Sequence, residues 1–287
     1  MISAQDICSL FYRASEGIIM ILAVYGDDSA DRGRGNVLTV GAFMGFPGMF
    51  VEAERKWDVL LKKHNLEYFK ASECQARDGQ FHPNRLMMDP RAAQTFAEIV
   101  RHELGKILTE EHLGGIAMSL DMKAFRKVLA EQADAKVIFG SDPYIYMFKR
   151  LIIDCIHRMN VEHPEDPEKK DDRAYQMLRT MPLAFVFDDH SHWQEAEESY
   201  RLLRDDPYIS PRLGSISHAN DKKVLPLQMA DLCAYEARYK TMTEWGLEPE
   251  RVEFARMEKK HAFYAISVIL EKHLLEQLEK AREQKGK

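Results

Sequence analysis

A chain of 287 residues, 45% of them hydrophobic, is long enough to bury a core as one elaborated α/β domain, or as one domain with a small insertion. Its net charge of −6 argues against tight, non-specific nucleic-acid binding over the whole surface but leaves room for an enzyme with a local basic groove. The four cysteines (Cys8, Cys74, Cys155, Cys233) form no CxxC pair and fit free thiols in a reducing cytosol rather than a disulfide framework; no apolar run reaches the ~18–20 residues of a membrane span.

Residues 2–14 carry Ile2, Ile7, Leu10, Phe11 and Tyr12, compatible with a short amphipathic helix, and lack the basic start and long apolar region of a signal peptide. The expectation is that Met20 is the natural start and residues 1–19 an extension. Residues 20–28 read as a buried strand, followed by a polar turn (29–36) and a second strand, Val37–Phe43, closing a hairpin. Phe50, Ala53, Trp57, Leu60 and Leu61 predict a helix over Phe50–His64. Leu66–Phe69 reads as a short strand at the sheet's far side, and 71–90, with Gly79, Pro83 and Pro90, as an irregular excursion. A helix over Ala92–Leu108, a strand over Gly115–Leu120 and a helix over Asp121–Glu131, with Asp121 as its N-cap, come next. Pro143–Met159 is helical. The charged run 161–174 reads as a solvated loop. Leu183–Asp188 is again a strand, Trp193–Leu203 a helix, Leu213–His218 a short extended piece, and Pro226–Lys240 a helix with proline in its first turn. Phe263–Leu278 reads as a closing amphipathic helix. A leading hairpin followed by alternating strands and helices predicts an α/β fold with a mixed sheet flanked by helices. The expected domain covers 20–245, and 246–287 form a C-terminal helical extension.

Chemistry is concentrated in acids set on core elements. Asp27 closes ILAVYGDDS, Asp188 closes LAFVFDD, and Asp231 sits in the apolar helix PLQMADLCAY. Clustered carboxylates repel unless a cation neutralises them, so three such acids point to a divalent-metal site. Asp28 and Asp189 follow on the opposite strand face, as outer groups or turn caps. Gln228 lies one helical turn before Asp231, placed to orient its carboxylate or to touch substrate. Asp121 ends a strand and is a second-rank candidate for a further carboxylate, although its cap role explains it well enough. His218, Lys222 and Lys223, with Lys70, are the candidates for binding phosphate. His190 and His192 lack a third nitrogen or sulfur ligand nearby, which sets zinc aside. Ser29 has no base beside it in sequence to make it a nucleophile.

YGDDSAD, FVFDD and PLQMADLCAY, in that order, resemble the domain-of-unknown-function 3800 family. Its first strand typically carries Asp-Glu-Ser-Gly, its late strand ends in Asp followed by an acid, and its signature helix reads Gln-x-Ala-Asp. Gln228-x-Ala230-Asp231 is the most specific match, and the likeness spans about residues 20–241. Ala30 departs from the family's glycine. The resemblance implies a ribonuclease H-like fold and a metal-dependent nuclease, with Asp27, Asp28, Ser29, Asp188, Asp189, Gln228 and Asp231 as matched positions. EYFKASE resembles a family segment with a basic residue before a small-Ser pair, which adds Lys70, Ser72 and Glu73.

The expectation is thus a cytoplasmic hydrolase that cleaves phosphodiester bonds in DNA or RNA with one or two Mg²⁺ or Mn²⁺ ions held by Asp27, Asp188 and Asp231, since all-oxygen ligation suits these hard cations. A haloacid-dehalogenase-type phosphatase wants acids two apart, and position 29 is serine. The remaining alternative is a non-catalytic nucleic-acid-binding or regulatory protein that keeps the fold and its acids.

Overall fold

The computed structural model describes residues 21–30, 35–111, 113–162, 180–189, 191–249 and 263–285. The N-terminal extension, nearly all of the charged run 161–174 and His190 lie outside these residues, and so do the expectations placed on them.

Among the described residues six strands form one mixed sheet: β1 (Leu22–Ala30), β2 (Val37–Gly45), β3 (Gly114–Asp121), β4 (Leu183–Asp188), β5 (Leu213–Ala219) and β6 (Phe263–Ile269), in the order β5-β4-β1-β2-β3-β6. β1, β2 and β3 form an antiparallel meander; β4 adds parallel to β1, β5 parallel to β4, and β6 parallel to β3. This is an α/β fold with a mixed sheet flanked by helices, as the sequence pattern predicts, and it is consistent with the ribonuclease H-like fold that the resemblance implies.

Ten helices among the described residues cover the sheet: α1 (Pro47–Lys63), α2 (Ala71–Ala76), α3 (Pro83–Leu86), α4 (Pro90–Glu110), α5 (Met122–Glu131), α6 (Ala135–Phe139), α7 (Pro143–Glu162), α8 (Trp193–Leu203), α9 (Leu225–Glu244) and α10 (Glu271–Lys285). Alternate residues of β1 enter two separate cores, as a strand buried on both faces requires. Leu22 and Val24 pack with Met147, Leu151 and Ile152 of α7, while Ala23 and Tyr25 pack with Leu232 and Tyr235 of α9 and with Trp57 of α1. α9 is buried along most of its length, which explains why its sequence shows no polar face. It lies directly on β2 because residue 41 is glycine: a Cβ there would stand 2.6 Å from the backbone nitrogen of Ala234.

Two elements differ from the sequence reading. Leu66–Phe69 is not a strand. The amide of Phe69 donates to the side-chain oxygen of Gln228 at 3.0 Å, so a buried side chain takes the place of a neighbouring strand. Phe263–Leu278 is not one helix: it divides into β6 and the start of α10. The run FYAISVI is aromatic and β-branched, the composition of a strand, and it pairs with β3. The sheet therefore continues into the segment expected to be a purely helical extension.

Candidate metal centre

β1 runs on to Ala30, so Asp27 lies within the strand and not at its end; it is paired with Gly41. On the other side, β1 pairs with β4 as far as Gly26 and Phe187. The next residue of each strand is an aspartate, and parallel register puts Asp27 and Asp188 side by side on the α9 face. Two residues beyond β5 comes Asp221, whose backbone amide donates to Asp188 Oδ1 at 3.0 Å; the amide of Asp189 donates to the same oxygen at 2.8 Å. Asp27, Asp188 and Asp221 each offer one oxygen, and these atoms all lie within 4.8 Å of one another.

Asp27 Oδ1 accepts the Asp28 amide at 2.7 Å. Asp27 Oδ2 is buried with no hydrogen-bond partner among the described residues. A buried carboxylate oxygen left without a donor is costly, and burial, then the charges of Asp231, Asp28 and Asp188, push the Asp27 carboxyl well above the usual range. Asp188 is raised too, by burial first and then by Asp221. The donors are all carboxylate oxygens, the set that suits a hard divalent cation. The residues present fit such an ion.

Asp231 stands beside this group and is not one of the three. It is 4% exposed, and its Oδ2 accepts the amide of Ala71, the first residue of α2, at 2.6 Å. Burial pushes its carboxyl up to about 7 against the opposing pull of Lys70 and the Ala71 amide. Lys70, expected as a substrate contact, forms an ion pair with Asp221 instead. Burial works against its charge, yet Asp231, Asp221 and Asp27 outweigh burial and hold the ammonium above its ordinary range.

Gln228 is neither a surface amide nor exposed to substrate. Fully buried, its Oε1 accepts from Trp57 Nε1 at 3.1 Å and from the Phe69 amide at 3.0 Å, and its Nε2 donates to the Asp221 carbonyl at 3.0 Å. One side chain thus ties the segment carrying Lys70 to the loop carrying Asp221. Glu73 braces the α2 turn through the Tyr68 hydroxyl (3.0 Å) and the Gln80 amide (3.1 Å). Lys222 lies over the Tyr68 ring, 4.5 Å from its centroid, and 3.6 Å from Glu73; Lys223 is exposed.

His218 is paired with Phe187 and so belongs to the opposite sheet face, where it meets Asp189 at 3.1 Å and the Trp193 ring at 4.5 Å. Asp28 shares that face. Tyr144, in the first turn of α7, has its phenol raised by burial and then by the charges of Asp28, Asp27 and Asp188. Asp121 caps α5, accepting the amides of Lys123 and Ala124 at 2.9 Å each. His192 pairs with Asp142 at 3.1 Å.

The sequence reading missed Asp221. Its signal is faint: one acid in HANDKK, a stretch that reads as a polar turn. The clue is its place, directly after an extended piece and just before the Gln228–Asp231 helix.

A scan against protein-family models and a search of the curated proteins found no match. Among the described residues, no helix is long and apolar enough to cross a membrane.

Proposed function

We propose that this chain is a divalent-metal-dependent phosphodiester hydrolase acting on DNA or RNA, with Mg²⁺ or Mn²⁺ held by Asp27, Asp188 and Asp221. The observation that carries the reading is the buried, unpartnered Oδ2 of Asp27 within a group of three carboxylates delivered by β1, β4 and the loop after β5. The resemblance of YGDDSAD, FVFDD and PLQMADLCAY to the domain-of-unknown-function 3800 family supports it.

A divalent cation supplies Lewis-acid chemistry, neutralising charge on a phosphodiester and making water a nucleophile at neutral pH. The chain's own groups do the rest. β1 and β4 hold Asp27 and Asp188 on rigid backbone, and Gln228 fixes the Asp221 loop from beneath. Lys70 adds positive charge beside Asp221 and Asp231. Asp231 holds the start of α2, and with it Lys70, against the site.

The test is cleavage of mixed DNA and RNA substrates with Mn²⁺, Mg²⁺ or EDTA, beside thermal melts. Asp27→Asn, Asp188→Asn and Asp221→Asn are each expected to abolish metal-dependent cleavage. Asp27→Asn is expected to melt at least as high as the parent in EDTA, because it removes a buried charge. It should also lose the melting shift that Mn²⁺ gives the parent. Full activity in the Asp27→Asn chain would remove the proposal's basis.

The Lys70–Asp221 ion pair favours a second reading, in which the chain neutralises its own acids and binds nucleic acid without cutting it. That reading predicts binding with no cleavage in any metal and no melting shift with Mn²⁺.

A further inference from the structure

Ser29 lies two residues beyond Asp27 on β1, on the same face and ~6–7 Å further along. By register it neighbours Thr39 of β2, which neighbours Ser119 of β3. These three hydroxyls form a row beneath the second half of α9. The Thr39 and Ser119 hydroxyls bond at 2.7 Å, and the Thr241 hydroxyl donates to Ser119 at 3.0 Å, which fixes this part of α9 on the sheet. One turn before Thr241 stands Arg238, whose Nε donates to Ser29 Oγ at 3.0 Å. Its guanidinium lies over the Tyr235 ring, 5.0 Å from the centroid, and Nη1 reaches Met242 Sδ at 3.6 Å.

Arg238 differs from Arg55, Arg158 and Arg282, each of which is bonded to a carboxylate. No carboxylate of the described residues pairs with Arg238, and its side chain is only partly buried. A partly buried guanidinium, oriented by a hydroxyl and an aromatic ring and with no counter-charge among the described residues, is prepared to bind an anion. It sits on the same helix as Asp231, seven residues on and ~10 Å along the axis, and so beside the carboxylates rather than over them.

We infer that Arg238 binds a second phosphate of the strand whose first phosphate lies at Asp27, Asp188 and Asp221. The substrate class is therefore an oligonucleotide strand with adjacent phosphates, and not a mononucleotide or an isolated phosphate ester. This rests on the hydrolase reading for the first phosphate.

The experiment compares the parent chain with Arg238→Gln and Arg238→Lys. Binding of fluorescein-labelled single-stranded DNA and RNA dodecamers is followed by anisotropy in Ca²⁺ across a salt series. Hydrolysis in Mn²⁺ is followed on the same dodecamers and on bis(p-nitrophenyl) phosphate, which has one phosphodiester and no neighbour. Arg238→Gln is expected to weaken dodecamer binding roughly 10- to 100-fold and to lower the salt slope by about one. It is also expected to raise KM for dodecamer cleavage while leaving the small ester unaffected. Arg238→Lys should fall between, because it keeps the charge and loses the fork.

Unchanged dodecamer binding, or equal losses on both substrates, would overturn the inference. A parent chain that binds dodecamers and cleaves neither substrate refutes the hydrolase reading alone, and the anisotropy series then decides for or against Arg238. A parent that binds no oligonucleotide refutes both.

Discussion

Gln228 is the residue on which the site's geometry depends most, although it holds no charge. Replacing it with leucine leaves Trp57 Nε1, the Phe69 amide and the Asp221 carbonyl without their partner in a buried setting. Each lost partner costs ~1–3 kcal/mol, so Gln228→Leu should lower stability by at least ~2 kcal/mol in urea titration and weaken Mn²⁺ affinity in calorimetry. Unchanged metal affinity would show that the Asp221 loop is held without it. Asp231 and Asp27 set the pH dependence. Both carboxyls are raised in the folded chain, Asp231 to about 7, above the ordinary value of 3.8. The folded state then binds protons that the unfolded state has released. The contribution of Asp231 to stability is fully present below pH ~4 and is lost as pH rises through about 7, and Asp27 acts in the same direction. In EDTA the parent should lose melting temperature across that window relative to Asp231→Asn. With Mn²⁺ the loss should shrink or reverse, since the metal competes with protons for the acids. A melting temperature in EDTA that rose across the same window relative to the variant would contradict the electrostatics described.

At the scale of the element, α9 is the organising piece, and it meets the sheet through one missing side chain. Gly41→Ala would set a Cβ 2.6 Å from the Ala234 nitrogen and 2.8 Å from its Cα, and backbone cannot step aside as a side chain can. The expected cost is ~1–3 kcal/mol, with α9 displaced from the strand that carries Asp27. Equal melting temperatures for the variant and the parent would show that α9 is not seated there. The same element marks how far sequence reading reaches. Asp231 was legible because an acid in MADLCAY needs a partner, and Asp27 and Asp188 because each follows a short apolar run. Asp221 was not, because a lone acid in a polar loop has many ordinary explanations. Gln228 was legible only as a position: its three bonds reach partners 171, 159 and seven residues away, and periodicity carries no long-range information. LEYF misled because buried aromatics were read as a strand when Phe69 packs into a helical layer.

At the scale of the molecule, the sheet is legible as apolar runs bounded by turns, but its sixth strand is not. Phe263–Ile269 runs straight into a helix, and the joined pattern imitates one longer amphipathic helix. The consequence for truncation is direct. Ile269, Leu274 and Leu278 are buried in the core on the α7 face, so a chain ending at residue 245 would lose them, uncover the core side chains they pack against and strip β3 of its neighbour. It is expected to be insoluble or to lose its cooperative melt; a soluble, cooperative fragment would set the domain boundary at 245 after all. The Lys70–Asp221 ion pair has a bearing on order in time. Because the chain carries a counter-charge for one of its own acids, native structure does not have to wait for a metal, in contrast to small metal-nucleated domains whose apo forms are unfolded. On the metal-dependent reading proposed above, folding would come first and loading afterwards, and occupancy would follow the free ion concentration around the protein rather than the history of its folding.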